Sequence, residues 1–167
     1  MDVHTAIVKT RTLLWRDEAA TDAFARRLAG APDVANALIA LRGDLGAGKT
    51  TLVRHLLRAL GVQGRVKSPT YAVVEPYELP ALNIWHFDFY RFGDAREWED
   101  AGFRDIFASP GLKLAEWPEK AVPVLPPIDL DIRLTARPDG TREATLRANT
   151  PAGARLIDSV SGMGPLA

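Results

Sequence analysis

A glycine-rich segment carries the residues with the clearest chemistry in this chain. Residues 43–50 read Gly-Asp-Leu-Gly-Ala-Gly-Lys-Thr, which fits the phosphate-loop template of a glycine, four residues and then Gly-Lys-Thr. Glycines let the backbone turn tightly enough for successive N–H groups to point at a phosphate. The segment therefore predicts a site for nucleotide phosphates. Its predicted lining residues are Asp44, Leu45, Gly46, Ala47, Gly48, Lys49 and Thr50.

Two side chains of this loop have specific predicted roles. Lys49 would place a positive charge near the β- and γ-phosphates of the nucleotide. The hydroxyl of Thr50 would take one position around a Mg²⁺ ion. The flanking sequence provides what a phosphate loop requires, because 37–41 is a short apolar run typical of a buried strand. After the loop, Leu52, Val53, Leu56, Leu57 and Leu60 recur at helical spacing up to Gly61.

Two acidic residues follow apolar runs elsewhere in the chain. Asp88 follows Ile-Trp-His-Phe at 84–87, and Glu116 follows Leu-Lys-Leu-Ala at 112–115. In parallel α/β sheets, groups at the carboxyl ends of strands lie beside the phosphate loop. Because Mg²⁺ prefers oxygen ligands, we predict that at least one of the two belongs to the metal shell. The pattern leaves open which of them binds the metal directly and which acts through water.

Three further residues have both a chemical and a structural interpretation. Thr70, in Ser-Pro-Thr-Tyr, stands where a switch segment could sense the γ-phosphate or complete the Mg²⁺ shell, although an ordinary proline turn also fits. Trp117 could stack on a base or a partner, but packing is the better interpretation without other information. His86 is expected to pack in the sheet with one hydrogen bond rather than to act as a base.

Two absent features narrow the chemistry. No Asn-Lys-x-Asp stretch is present, so the guanine-reading loop of Ras-type GTPases is missing and adenine is favoured. The only glutamine is Gln63, outside the switch-like segment, so a glutamine that orients the attacking water is not expected. We therefore expect hydrolysis by the isolated chain to be slow, or to be assisted by an acidic side chain or a partner.

The remaining pattern predicts one α/β domain over 1–167, with a tail from about 150 that is either a short helix or frayed. The fold expected is a three-layer P-loop NTPase fold with a mainly parallel central sheet extended by a C-terminal antiparallel hairpin. The other predicted elements are a strand over 6–15, a helix from Asp17 to Gly30, an extended segment over 72–77, a strand over 83–89, an acidic helix over 97–107, a strand over 112–115 and a hairpin over 130–147.

Composition excludes several classes of protein. The chain has 21 basic and 21 acidic residues, which argues against a protein whose main partner is a nucleic-acid backbone. It has no cysteine, so disulfides, thiolate metal sites and cysteine nucleophiles are excluded. We find no secretory signal pattern and no apolar run of membrane-spanning length. A soluble cytoplasmic protein without a membrane partner is the expectation.

Four motifs in sequence order make the chain resemble the TsaE family of bacterial ATPase subunits. They are the loop at 43–51, Lys-Ser-Pro-Thr-Tyr at 67–71, His-Phe-Asp-Phe-Tyr-Arg at 86–91 and Glu-Trp-Pro-Glu at 116–119. The resemblance runs from about Asp17 to Arg147. It implies an ATPase that binds ATP and Mg²⁺ and works with TsaB and TsaD, and TsaD transfers a threonylcarbamoyl group onto adenosine 37 of tRNA. The contribution of this subunit to tRNA modification would be indirect.

The resemblance also implies roles for individual residues. Lys49 would hold phosphate, Thr50 would bind Mg²⁺ and Thr51 would line the site. Asp88 and Glu116 would belong to the metal and water-activating set, with Thr70 in the switch. Near the nucleotide the resemblance places Trp117, Thr21 in the first helix and Arg142 in the late hairpin.

Two other functions remain open on the sequence. A P-loop kinase for a small molecule would need an arginine-bearing lid, for which Arg91, Arg96 and Arg104 are candidates. A non-enzymatic module, in which ATP only orders a partner surface, is the other alternative. The pair of acids, Asp88 and Glu116, favours hydrolysis over this last function.

Overall fold

The computed structural model of the protein describes residues 9–67, 69, 73–90 and 102–161. Two short 3-10 helices, Pro32–Asn36 and Pro118–Lys120, link longer elements. In chain order the strands and the α-helices are β1 (Lys9–Trp15), α1 (Glu18–Ala29), β2 (Leu38–Arg42), α2 (Lys49–Leu60), β3 (Val74–Leu79), β4 (Leu82–Asp88), α3 (Phe103–Ala108), β5 (Leu112–Glu116), β6 (Leu130–Ala136), β7 (Arg142–Ala148) and α4 (Pro151–Ser161).

The strands form one seven-stranded sheet in the order β1-β7-β6-β2-β5-β4-β3. The four central strands, β6, β2, β5 and β4, are mutually parallel. The outer strands pair antiparallel, with β7 and β1 on one side and β3 on the other. Because β2, β4 and β5 run in the same direction, their carboxyl ends meet at one edge of the sheet, which is where the phosphate loop begins.

Helices cover both faces of the sheet and complete three layers. On one face α1, α2 and α4 pack through apolar side chains such as Phe24, Leu57 and Ile157, none of which has measurable exposure. On the other face Phe103 of α3 packs against the buried rings of Phe87 and Phe89. The predicted fold class, a three-layer P-loop NTPase fold with a mainly parallel centre and a late antiparallel hairpin, is confirmed.

The ends of the first two helices lie where the sequence predicts them. The Asp17 carboxylate accepts a hydrogen bond from the backbone N–H of Ala20 at 3.0 Å and caps α1. Gly61 ends α2 with φ 108°, a left-handed conformation in which a side chain would be strained. No helix within the described ranges is long and apolar enough to cross a membrane.

Some boundaries differ from the sequence prediction. Of the acidic helix predicted over 97–107, the structure describes the part that forms α3, which begins after Gly102. Residues 97–101 of that prediction lie outside the described ranges, and so do residues 6–8 of the first predicted strand. Of the extended segment predicted over 72–77, the residues from Val74 onwards form β3, which continues to Leu79, while residue 72 lies outside the described ranges. The strand tolerates Pro76 because it lies at the edge of the sheet. In the predicted tail, residues Pro151–Ser161 form the helix α4, which buries Leu156, Ile157 and Val160, and 162–167 lie outside the described ranges.

Candidate functional site at the carboxyl edge of the sheet

At two positions of the loop between β2 and α2, the backbone conformation and the surrounding space require glycine. Gly43 has φ 143° and Gly48 has φ 107°, both in the left-handed region. Space is restricted as well: a Cβ on Gly43 would lie 2.5 Å from the carbonyl oxygen of Leu134, and one on Gly48 would lie 2.8 Å from Nε of Arg142. The glycines therefore allow β6 and β7 to approach the loop closely.

The first turn of α2 presents uncapped backbone donors to this loop. Its N-cap is Gly48, which has no side chain with which to cap the helix. The N–H of Ala47 donates to the carbonyl of Asp44 at 3.0 Å, and that of Leu52 donates to the carbonyl of Gly48 at 3.0 Å. The start of a helix carries a partial positive charge of roughly +0.5, so this end of α2 attracts an anion. Thr50 and Thr51 belong to the same turn.

The ammonium of Lys49 is buried between the loop and an aromatic ring. It donates hydrogen bonds to the carbonyl oxygens of Gly43 and Asp44, the second at 3.2 Å, and it lies 4.2 Å from the ring centroid of Trp117. Burial lowers the pKa of Lys49, and the negative charges of surrounding carboxylates oppose that shift. Those carboxylates, in decreasing order of effect, are Glu116, Glu119, Asp88 and Asp44. The amine is therefore a desolvated cation whose charged form is favoured by four surrounding acids.

Asp88 and Glu116 end two neighbouring parallel strands in register. The N–H of Phe89 donates to the backbone carbonyl of Glu116 at 3.0 Å, which keeps the chains paired beyond the strand ends. Burial raises the pKa of Asp88, and the charge of Glu116 raises it further; the Tyr90 N–H, 3.0 Å from Oδ1, opposes the shift. The predicted position of both acids, at strand ends beside the loop, is what the structure shows.

His86 contributes a buried contact to this pair. Its Nε2 lies 2.6 Å from Oε2 of Glu116, and the exposed fractions of the two residues are 1% and 4%. The expectation that His86 packs in the sheet with one hydrogen bond is confirmed. That this hydrogen bond reaches Glu116 could not be read from the sequence, because it depends on the register of β4 against β5.

Trp117 has an unusual backbone conformation next to the lysine. Its φ is 55° and its ψ is 49°, a left-handed conformation that is rare for a bulky residue and costs on the order of 1–3 kcal/mol. The ring contacts Tyr90, with centroids 4.9 Å apart, as well as Lys49. The strained backbone therefore places an aromatic ring at the edge of the loop.

Three other residues were predicted to lie near the nucleotide, and the structure bears on each of them differently. Arg142 reaches the loop, since its Nε donates to the carbonyl of Ala47 at 2.9 Å. Thr21 is buried on α1, which packs against α2, and its contact with a base stays a prediction. Thr70 lies outside the described residues.

The sequence interpretation assigned no role to several residues that the structure brings to the site. Glu119 and the end of β6, residues 133–136, join the loop and Trp117 in lining a cavity of about 320 Å³. Tyr90 holds the Asp88 carboxylate through its backbone. The sequence contains one indication for Glu119, its place in the motif Glu-Trp-Pro-Glu. It contains none for the position of β6 beside the loop, because that position follows from the order of the strands in the sheet.

The acidic residues do not form a complete metal site by themselves. Within the part of the chain that the structure describes, no group of three or more His, Cys, Asp or Glu side chains could hold a metal ion. Mg²⁺ at sites of this type is usually bound through one or two carboxylates together with substrate phosphates and water. Asp88, Glu116 and the Thr50 hydroxyl are the oxygen ligands that could take part in such a site.

Fold and site together define an α/β protein with the P-loop NTPase fold, which has a glycine loop, a buried lysine and two acids at one edge of the parallel part of its sheet. The same architecture occurs in the crystal structure of YdiB from Bacillus subtilis. The two structures superpose with a TM-score of 0.76 at 26% identity, over 96% of this chain and 99% of YdiB.

The chain belongs to the TsaE family. The family model described as "Threonylcarbamoyl adenosine biosynthesis protein TsaE" matches residues 15–144. The tRNA threonylcarbamoyladenosine biosynthesis protein TsaE of Haemophilus influenzae is 44% identical over 124 residues, which cover 74% of this chain and 78% of that protein. The protein of the same name in Bacillus subtilis is 37% identical over 111 residues, covering 66% and 69%.

Proposed function

We propose that the protein is a Mg²⁺-dependent ATPase that supports the formation of threonylcarbamoyladenosine in tRNA, in a complex with TsaB and TsaD. The observation that carries the proposal is the convergence of Lys49, Asp88 and Glu116 beside the glycine loop. Membership of the TsaE family supports the biological role, because the family is named for this biosynthesis.

The phosphates of ATP would lie against the start of α2. Backbone N–H groups of residues 44–50 and the positive end of the helix bind the phosphate oxygens. Lys49 then transfers its hydrogen bonds from the carbonyls of Gly43 and Asp44 to the β- and γ-phosphates. This exchange leaves the buried ammonium with anionic partners, which favours binding.

Asp88 and Thr50 would hold Mg²⁺, and Glu116 would act on the attacking water. When bound, the ion would neutralise charge on the β- and γ-phosphate oxygens. Glu116 accepts a proton from water as the water oxygen bonds to the γ-phosphorus; the bond from that phosphorus to the bridging oxygen breaks, and ADP leaves. An acidic side chain in this role would replace the glutamine that Ras-type proteins use.

The remaining residues would surround the rest of the nucleotide. Arg142 holds the loop through Ala47 and stands within reach of phosphate, while Trp117 offers a ring at the loop edge. Thr21 on α1 would lie near the adenine. Thr70 would respond to the γ-phosphate. These assignments follow the family resemblance together with the contacts of the residues that the structure describes.

Exposed apolar side chains around the loop support the proposal of a protein partner. Leu45, at the tip of the loop, is 73% exposed, and Tyr90, which contacts Trp117, is 42% exposed. Isolated exposed apolar residues are common, but these two flank the same site. A partner that covers them would also cover the nucleotide, which provides a route by which TsaB and TsaD could control hydrolysis.

The proposal is tested by ATP hydrolysis with the purified protein, alone and with TsaB and TsaD, with and without EDTA. We expect weak phosphate release that requires Mg²⁺, increases with the partners and is lost in Lys49→Met. Lys113→Met is the matched control, because Lys113 is also 5% exposed, has its pKa lowered by burial and lies over a tryptophan ring, that of Trp85. Undiminished hydrolysis by Lys49→Met would contradict the proposal, and a phosphorylated metabolite in place of free phosphate would indicate a kinase.

A further inference from the structure

The contact between His86 and Glu116 has a feature that ordinary core packing does not explain. The imidazole is 1% exposed and makes its hydrogen bond through Nε2, whereas its second nitrogen, Nδ1, is buried and has no hydrogen-bond partner within the described ranges. Burying a polar atom without a partner costs free energy. Directly beside His86 in the sheet are Leu114 on β5 and Glu75 on β3, with Ile84 and Asp88 two positions away along β4. An aliphatic residue would fill this buried position without leaving a polar atom unpaired.

The chemistry of the carboxylate identifies which atom bridges the two residues. A Glu116 that accepts a proton from water must be ionised, and an ionised carboxylate only accepts hydrogen bonds. The contact at 2.6 Å therefore requires Nε2 of His86 to carry a proton and to donate it to Oε2 of Glu116.

We propose that His86 is a positioning residue, which fixes the Glu116 carboxylate through Oε2 so that Oε1 meets the attacking water. This inference rests on the proposed ATPase function. It explains why a polar side chain occupies a core position: the hydrogen bond at 2.6 Å removes the rotational freedom of a buried acid. Asp88, two residues further along the same strand, shares that face; its Oδ1 accepts the Tyr90 N–H, and its other oxygen would face the metal.

Three substitutions separate positioning from packing. His86→Leu keeps an apolar side chain of similar size and removes the donor. His86→Gln keeps a donor, because the amide nitrogen of glutamine reaches about as far along the side chain as Nε2 of histidine. His55→Leu is the control for loss of an imidazole elsewhere, since His55 lies on α2 between the carboxylates of Glu18 and Asp22. Unfolding temperature and the affinity for MgADP, from tryptophan fluorescence, verify that each variant is folded.

We expect His86→Leu to lower kcat by about 10- to 100-fold, the range typical of lost supporting hydrogen bonds, with the KM for ATP unchanged within about twofold. His86→Gln should recover kcat to within about threefold of wild type, and His55→Leu should leave it unchanged. Wild-type kcat in His86→Leu would overturn the proposal. So would an equal loss in the Leu and Gln variants accompanied by weaker nucleotide binding, because that pattern describes a structural role.

A second readout does not depend on hydrolysis. The chain has three histidines, so the ring signals of His86 can be assigned in a ¹⁵N spectrum by their loss in His86→Leu. We expect a slowly exchanging proton on Nε2, and faster exchange of that proton in Glu116→Ala. An Nδ1–H tautomer would overturn the proposal. If the wild type shows no hydrolysis, or Glu116→Gln hydrolyses ATP as fast as wild type, the proposed function fails, while the spectrum still decides whether His86 holds Glu116.

Discussion

Asp88 and Glu116 lie directly opposite each other at the carboxyl ends of β4 and β5. Two carboxylates placed side by side repel each other, and Asp88 is half-buried as well. Both effects raise the pKa of Asp88 and make its ionised form unfavourable in the folded protein without a cation. The two adjacent acids therefore reduce the stability of the free protein, and a cation bound between them would relieve the repulsion.

This cost predicts that replacing Asp88 by a neutral residue stabilises the free protein. Asp88→Asn should raise the unfolding temperature at pH 7 in the absence of nucleotide and Mg²⁺, since it removes a desolvated charge. The pKa of Asp88 in the folded state lies above the ordinary value of 3.8, so the penalty is complete above the raised pKa and disappears as the pH falls below about 3.8. Thermal unfolding of both proteins between pH 3 and pH 8 measures the difference.

Asp139 provides a control for that prediction, because its pKa is shifted in the opposite direction. Hydrogen bonds from Thr141 lower its pKa, so its ionised form is favoured in the folded state. Asp139→Asn should therefore lower the unfolding temperature at pH 7, with a difference that is lost as the pH falls through the lowered pKa. A lower unfolding temperature for Asp88→Asn at pH 7 would mean that Asp88 already has a stabilising partner in the free protein.

Trp117 should report nucleotide binding, because its ring lies 4.2 Å from the Lys49 ammonium. When Lys49 turns towards phosphate, the charge next to the ring moves. We expect a change in tryptophan fluorescence on addition of ATP and Mg²⁺ that is mostly abolished in Trp117→Phe. Trp85→Phe should preserve the change, since Trp85 lies near Lys113 on β5 rather than near the loop. A signal that survives in Trp117→Phe and disappears in Trp85→Phe would argue against the position assigned to the nucleotide.

Arg142 should stabilise the loop before any ligand binds. Its hydrogen bond to the Ala47 carbonyl joins two residues that are 95 positions apart in the sequence. Among the contacts of the described residues, no other hydrogen bond is donated to that carbonyl. Arg142→Ala should cost about 1 kcal/mol of unfolding free energy, roughly 2–4 °C in unfolding temperature, and weaken nucleotide binding severalfold.

Arg137→Ala is the matched control in the same hairpin. Arg137 forms an ion pair with Glu143 at the surface, and such pairs contribute little. Its removal should leave nucleotide affinity unchanged. Equal effects of the two arginine substitutions on affinity would indicate a general disturbance of the hairpin rather than loss of the contact with the loop.

The sequence predicted those parts of the site that depend on local pattern. The glycine loop, the Asp17 cap, the Gly61 helix end and the acids at strand ends all follow from residues close together in the chain. Hydrophobic periodicity assigns a residue to one face of a strand, but it does not say which strands become neighbours.

The contacts that the sequence could not predict cross between such strands. His86 meets Glu116 only because β4 pairs with β5 in one register, and Arg142 meets Ala47 only because β7 lies two strands from β2. The left-handed backbone of Trp117 is likewise imposed by its surroundings, since the residue type does not favour it.

The central claim, that hydrolysis of ATP supports tRNA modification, is tested most directly by multiple-turnover formation of threonylcarbamoyladenosine. The reaction contains TsaB, TsaD, tRNA and either wild-type protein or Glu116→Gln, each first shown to bind ATP with Mg²⁺. Because the glutamine amide cannot accept the proton from water, we predict continued product formation with wild type and no more than about one turnover with Glu116→Gln. Equal sustained turnover by the two proteins would contradict the account, because ATP would then act without being hydrolysed.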